Sequence, residues 1–276
     1  MKNIIYSSDL ILDIIESESG TLLRPKKEEL KTTKLKHLTK TIVNLKKDNE
    51  YGKPEGEYIT YELKKDFVGS GELIEGMIDD LARLFKSKEN ILFVGVGNEA
   101  IISDSLGPKV VSKLDPPANY KIKVSKISPN VEGNTGIESS DLVRLAIDLV
   151  KPDLVVVIDS LASRNFNRIG KSFQISTGGI VPGSGSGKKS AFEFSKNTLG
   201  VSVVAVGVPI VVHFKSYLFE LVSLMKLEEK SATNAFDFIG ETDTLKGVIL
   251  APKEVDIFVD FASSVIANAI NHVLMK

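Results

Sequence analysis

Residues 91–108, ILFVGVGNEAIISDSLGP, run from an apolar strand through a glycine turn to one carboxylate, Asp104, and on into a helix. Ile91 to Val94 is an unbroken run of β-formers, the pattern of a parallel strand covered on both faces. Gly95 and Gly97 permit a sharp turn or a close backbone approach, and Asn98 tolerates positive φ. Pro108 fits the first helical turn, which makes Gly107 the expected cap and places Asp104 in the loop ahead of the helix. That loop lies at the carboxyl end of the strand, where open α/β sheets hold their ligands. Gly95, Gly97 and Ala100 also satisfy a loose dinucleotide-binding pattern. The next strand, KIKVSKI at 121–127, ends in Ser128 and Pro129 without the acid that would hold a ribose, so the nicotinamide reading fails.

A second acid follows from the same logic. LVVVI at 154–158 is another apolar strand, expected to end on Asp159, and a helix pattern at Leu142, Leu145, Ala146 and Leu149 precedes it. Strand and helix alternate, which argues a parallel sheet carrying both acids at strand ends. Two nearby carboxylates do not both ionise cheaply, so one can hold a proton while the other activates water. Each acid could equally cap a loop or helix.

The chain has 276 residues, 42% of them apolar, and a formal net charge of −1. This suits one sizeable α/β domain, expected over 31–276, with residues 1–30 as an extension outside the core. Near-balanced charge gives no general attraction to nucleic acid or membrane, although Lys26 to Lys47 is locally basic. The absence of cysteine rules out disulfides and a thiolate nucleophile and suits a reducing cytoplasm. No signal peptide is expected, nor a stretch long and apolar enough to span a bilayer. EGEYITYEL at 55–63 alternates like a partly exposed edge strand, and LKHLTKTIVNLK at 35–46 like another strand. Residues 72–87 and the segment after Pro252 read as amphipathic helices, 172–176 and 201–206 as strands. The glycine-rich TGGIVPGSGSGKKS reads as a functional loop, and 226–247 carries no clear pattern.

Several stretches together resemble the germination proteases of endospore-forming bacteria: VGVGNEAIISDSLGPKVV, SPNVEGNTGIESSDL, KPDLVVVIDSLASRNFNRI, QISTGGIVPGSGSGKK, SKNTLGVSVVAVGVPIVV and APKEVDIFVDFASSVIANAIN, with SSDLIL and EGEYITYEL nearer the N-terminus. The resemblance implies a phosphorylase/hydrolase-like α/β three-layer sandwich around a mostly parallel sheet, with an N-terminal extension and a C-terminal amphipathic helix. It implies a cytoplasmic aspartic endopeptidase of the spore core that degrades small acid-soluble spore proteins, forms homotetramers, and needs neither metal nor cofactor. Its two essential aspartates fall on Asp104 and Asp159. It also implies a zymogen whose propeptide, here residues 1–9, is removed by self-cleavage after an acid and before an apolar residue, which places the cut between Asp9 and Leu10. Oxyanion donors are expected in the turn of Gly95, Gly97 and Asn98, or in the loop of Gly183 and Gly185. Arg164 and Arg168 either tune Asp159, meet acidic substrate, or form surface ion pairs. His213 stands where the family usually has Asp, and the chain is shorter than typical members.

Two rivals remain open. One is a metal-sensing hydrogenase maturation endopeptidase, whose nickel-sensing histidine would fall at Asn197; a missing imidazole disfavours nickel there. The other is a protein of the same fold that binds or assembles without cutting.

Overall fold

The computed structural model describes residues 8–15, 30–49, 51–116, 122–181, 192–225, 229–242, 244 and 247–275. In chain order they form α1 (Ile11–Ile15), β1 (Leu30–Lys34), β2 (Leu38–Leu45), β3 (Gly56–Leu63), α2 (Ser70–Phe85), β4 (Asn90–Gly95), α3 (Leu106–Lys113), β5 (Lys123–Ile127), α4 (Glu132–Thr135) and α5 (Ser139–Val150). There follow β6 (Leu154–Ser163), β7 (Ser172–Ser176), α6 (Lys196–Leu199), β8 (Ser202–His213), α7 (Phe214–Leu224), α8 (Glu229–Glu241), β9 (Ile249–Leu250) and α9 (Val255–Leu274).

One sheet carries the chain, in the order β1-β2-β3-β7-β8-β6-β4-β5, with β9 added to β8. The strands β8, β6, β4 and β5 pair in parallel, as expected of the βαβ alternation. The wing of β1, β2, β3 and β7 joins through antiparallel pairings, so the parallel character belongs to the half that bears the acids. Strand alternation sorts the apolar side chains. Ile91, Phe93, Val156 and Ile158 pack against α2, α3 and α9 in the main core. Leu92, Val94, Val155 and Val157 face the other way, where Val143, Ala146 and Ile147 of α5 cover them. Helix, sheet and helix make the expected three-layer sandwich.

The structure corrects four readings. β3 is no edge strand: β2 and β7 flank it, and both Tyr58 and Ile59 are buried. Its alternation misleads because the second face is covered from far away in sequence. That cover is the N-terminal segment, expected outside the core, whose Ile11, Leu12 and Ile15 form a third cluster with Val43, Leu45, Tyr51 and Tyr58. α3 starts at Leu106 after Ser105, so Gly107 lies inside the helix and is no cap. A Cβ on Gly107 would overlap the Val96 carbonyl oxygen, so the glycine serves close packing of helix on strand. Finally, α9 is 20 residues long and apolar enough to pass for a membrane span. It buries Val259, Ala262, Ile266, Ala269 and Ile270 against the main core, in the helical layer it shares with α2 and α3.

Candidate functional site

The first acid is placed by steric closeness around the glycine turn. Gly97 has φ +119°, a conformation that side-chain-bearing residues rarely adopt, and a Cβ there would overlap the Asp104 carbonyl oxygen. A Cβ on Gly95 would overlap Gly107, and Val96 donates its N–H to the Ile158 carbonyl at 2.9 Å. The turn after β4 is thereby tied to β6 one residue before Asp159. Asp104 ends a short 3-10 turn, Ile102–Asp104, and its Oδ2 accepts the Asn98 N–H at 2.8 Å. Asn98 Oδ1 in turn accepts from Ala100 N and from Asn134 Nδ2. Burial raises the Asp104 carboxyl above the ordinary carboxylate range, and the Asn98 N–H works against that rise.

The second acid sits within β6, not at its end. The strand continues to Ser163, with a register shift between Leu161 and Ala162 against β8, an irregularity typical beside working sites. By alternation Asp159 extends the face of Val155 and Val157, and it is 4% exposed. Burial pushes its carboxyl well up, and the charges of Asp104 and Asp9 push it further, against the Ser160 N–H. Asp159, the more deeply buried of the two, is pushed further up than Asp104, whose carboxyl is raised by burial.

Residues 8–15 lie against β6 and β7 next to this site, and the Asp9 charge acts on Asp159. Asp9 N donates to the Ala162 carbonyl at 2.9 Å, and Ala162 N donates to Asp9 Oδ2 at 2.8 Å. Gln174 brackets the next bond: its Oε1 accepts the Ile11 N–H at 2.9 Å, and its Nε2 donates to the Asp9 carbonyl at 3.4 Å. Leu10, between them, is wholly buried. Lys53 Nζ donates to the Ser8 carbonyl at 3.2 Å, and its ammonium, held down by burial, feels the charges of Asp9 and Asp13. Burial also lowers His213 while Asp9 raises it, and His213 Nε2 is a buried polar atom without a hydrogen-bond partner among the described residues. Asp13 anchors the segment: 1% exposed, its Oδ2 accepts Ser8 Oγ, Ser163 Oγ and the Arg164 N–H, and its Oδ1 pairs with Arg168.

The expected site residues thus part company. Asp104 and Asp9 both act on Asp159, and Leu10, next to Asp9 in the chain, is wholly buried. Among the proposed oxyanion donors, the Asn98 N–H is already given to Asp104. Gly183 and Gly185 lie outside the described residues. Arg164 and Arg168 are buried, not surface ion pairs: Arg164 faces Glu220 at 3.6 Å, and Arg168 meets Asp13 and, at 2.8 Å, Glu62. Asn197 stands exposed in α6. Lys53, Asp13 and Gln174 escaped the sequence reading. The signal for two of them was a polar residue inside an apolar stretch, Asp13 in ILDII and Gln174 in SFQIS.

A family profile described as germination protease matches residues 16–226. The germination protease of Caldanaerobacter subterraneus is 32% identical over 91% of this chain and 87% of its own length. That of Clostridium acetobutylicum is 32% identical over 84% and 83%, and that of Bacillus licheniformis 32% over 81% and 79%. Among solved structures, the [NiFe] hydrogenase maturation protease HycI from Thermococcus kodakarensis aligns at TM-score 0.42 with 18% identity, over 71% of this chain and 99% of its own.

Proposed function

The chain belongs to the germination protease family, and from that premise we propose an aspartic endopeptidase that is made as a zymogen, cuts itself between Asp9 and Leu10, and then degrades small acid-soluble spore proteins. The observation that carries the reading is that Asp104 and Asp9, the latter bonded to Ala162 of β6, both act on the buried Asp159 carboxyl, while Gln174 brackets the Asp9–Leu10 bond. In this mechanism Asp104, ionised and held by the Asn98 N–H, takes a proton from water. Asp159 enters protonated and polarises the carbonyl under attack. Preference for an acid before the cut follows from the surroundings of the Asp9 side chain: the Ala162 N–H, with Lys53 and His213 in its field. Preference for an apolar residue after the cut follows from the complete burial of Leu10. Membership of the family supports homotetramers acting in the spore core.

Incubating the purified chain with a small acid-soluble spore protein tests the reading, with intact-mass analysis of the chain alongside. Fragments should appear, and residues 1–9 should be lost. Asp104→Asn and Asp159→Asn should each abolish both cuts while the fold persists. Binding without fragments would make the chain a binding module, and full activity in either variant would remove that residue from the chemistry.

A further inference from the structure

Gln174 of β7, Gly207 of β8 and Asp159 of β6 lie opposite one another across three neighbouring strands. Residues in one such row project from the same face of a sheet. Gln174 and Asp159 therefore stand two strand spacings apart, about 10 Å between backbones, on one face of the sheet and on either side of a residue without a side chain. The space over Gly207 is taken by Leu161, since a Cβ there would come within 2.6 Å of Leu161 Cγ. This floor is apolar and buried. Above it, Gln174 makes two hydrogen bonds to the chain that crosses the site, one to the Asp9 carbonyl and one from the Ile11 N–H. Only one orientation of the amide serves both, because a carbonyl needs the NH2 end and an N–H needs the oxygen.

We propose that Gln174 is a catalytic residue of the peptidase, the donor that holds the scissile carbonyl oxygen through the tetrahedral stage while its own oxygen clamps the backbone two residues further on. The inference rests on the cut between Asp9 and Leu10 assigned above. Water adds to the Asp9 carbonyl carbon, giving its proton to Asp104. The C=O electron pair moves onto the oxygen, which the Gln174 NH2 and the Asp159 proton face from opposite sides. Collapse breaks the C–N bond, and the Leu10 nitrogen leaves with a proton from the acid pair. The 3.4 Å separation belongs to the planar ground state. An oxyanion donor is aimed at the tetrahedral position, where the bond shortens as charge develops. Because both contacts are to main chain, the clamp suits any extended peptide and leaves side-chain choice to the pockets around Asp9 and Leu10.

The test compares the wild-type chain with Gln174→Glu, Gln174→Ala and Asp159→Asn, following self-cleavage by intact mass and folding by thermal melting. Gln174→Glu keeps shape and the acceptor for Ile11 but loses the donor, and should slow self-cleavage about 100-fold. Its melting temperature should stay within a few degrees of wild type. A peptide of residues 4–16 of this chain, plain and N-methylated at Ile11, separates binding from chemistry. In the wild type, methylation should raise KM and spare kcat. In Gln174→Ala, kcat should fall on the plain peptide and methylation should cost nothing more. Should Gln174→Ala fail to fold, Gln174→Glu decides alone. A folded Gln174→Glu that cleaves within threefold of wild type, beside an inert Asp159→Asn, would overturn the role of Gln174 and leave the acid pair standing. A wild-type chain that never cuts at Asp9, or an active Asp159→Asn, would overturn the underlying reading and this inference with it.

Discussion

Gly97 fixes the position of Asp104 by having no side chain. Its φ of +119° and its contact with the Asp104 backbone leave no room for a methyl group. Gly97→Ala should therefore cost about 1–3 kcal/mol of stability and shift the 3-10 turn that bears the acid. A shift of about 1 Å in a reacting group costs about 100-fold in rate, so cleavage should fall by one to two orders of magnitude. Gly133→Ala is the control: no atom lies within 4 Å of the added Cβ, and the change should stay within about 0.5 kcal/mol. Chemical denaturation and cleavage rates of the two variants, side by side, decide the matter. Equal behaviour would mean that the turn accommodates a side chain and does not position Asp104.

At the scale of elements, the sequence made the parallel half of the sheet legible because β4, β6 and β8 are largely apolar runs, with only β5, KVSKI, polar at the edge. Asp104 and Asp159 were legible for the same reason, as acids where such runs lead. What stayed hidden was every contact made from a distance. β3 reads as an edge because nothing local says that α1 will cover Tyr58. Gln174 reads as one polar residue in a short strand because its partners lie more than 160 residues away. α1 itself is too short to be a stable helix alone. It is held by burial of Ile11, Leu12 and Ile15, roughly 1.5–3 kcal/mol for each fully buried side chain, and by Asp13 between Ser8, Ser163, Arg164 and Arg168. Asp13→Ala removes one of the carboxylates that the buried Arg168 meets, at a cost of about 3–5 kcal/mol. It should also unseat the Asp9–Leu10 bond, so that self-cleavage slows even where urea titration shows the domain folded. Unchanged cleavage in a folded Asp13→Ala chain would show that α1 does not hold the bond in place.

The whole molecule responds to pH through groups that the fold shifts in opposite senses. Asp159, raised by burial and by two neighbouring acids, binds a proton in the folded chain at pH values where the unfolded chain, near 3.8, has lost it. Its contribution to stability is thus full at the acid end and is lost as pH rises through that window, until the folded carboxyl ionises and the whole penalty applies. Asp104, also raised by burial, acts in the same sense. His213 runs the other way: lowered by burial, it stays neutral where an unfolded histidine, near 6.5, takes up a proton, so its contribution is lost as pH falls below that value. Asp159→Asn isolates the first effect, because an amide carries no charge to bury. The variant should match the wild type near pH 4 and melt progressively higher above it. The gain should be about 1 kcal/mol, or about 2–4 °C in a chain of this size, and its catalytic loss marks stability given up for function. Melting curves of both chains between pH 4 and 8 measure the difference directly. A difference that stays flat with pH would mean that Asp159 ionises as freely in the folded chain as in the unfolded one, and a carboxyl that ionises freely cannot hold the proton that the proposed chemistry takes from it.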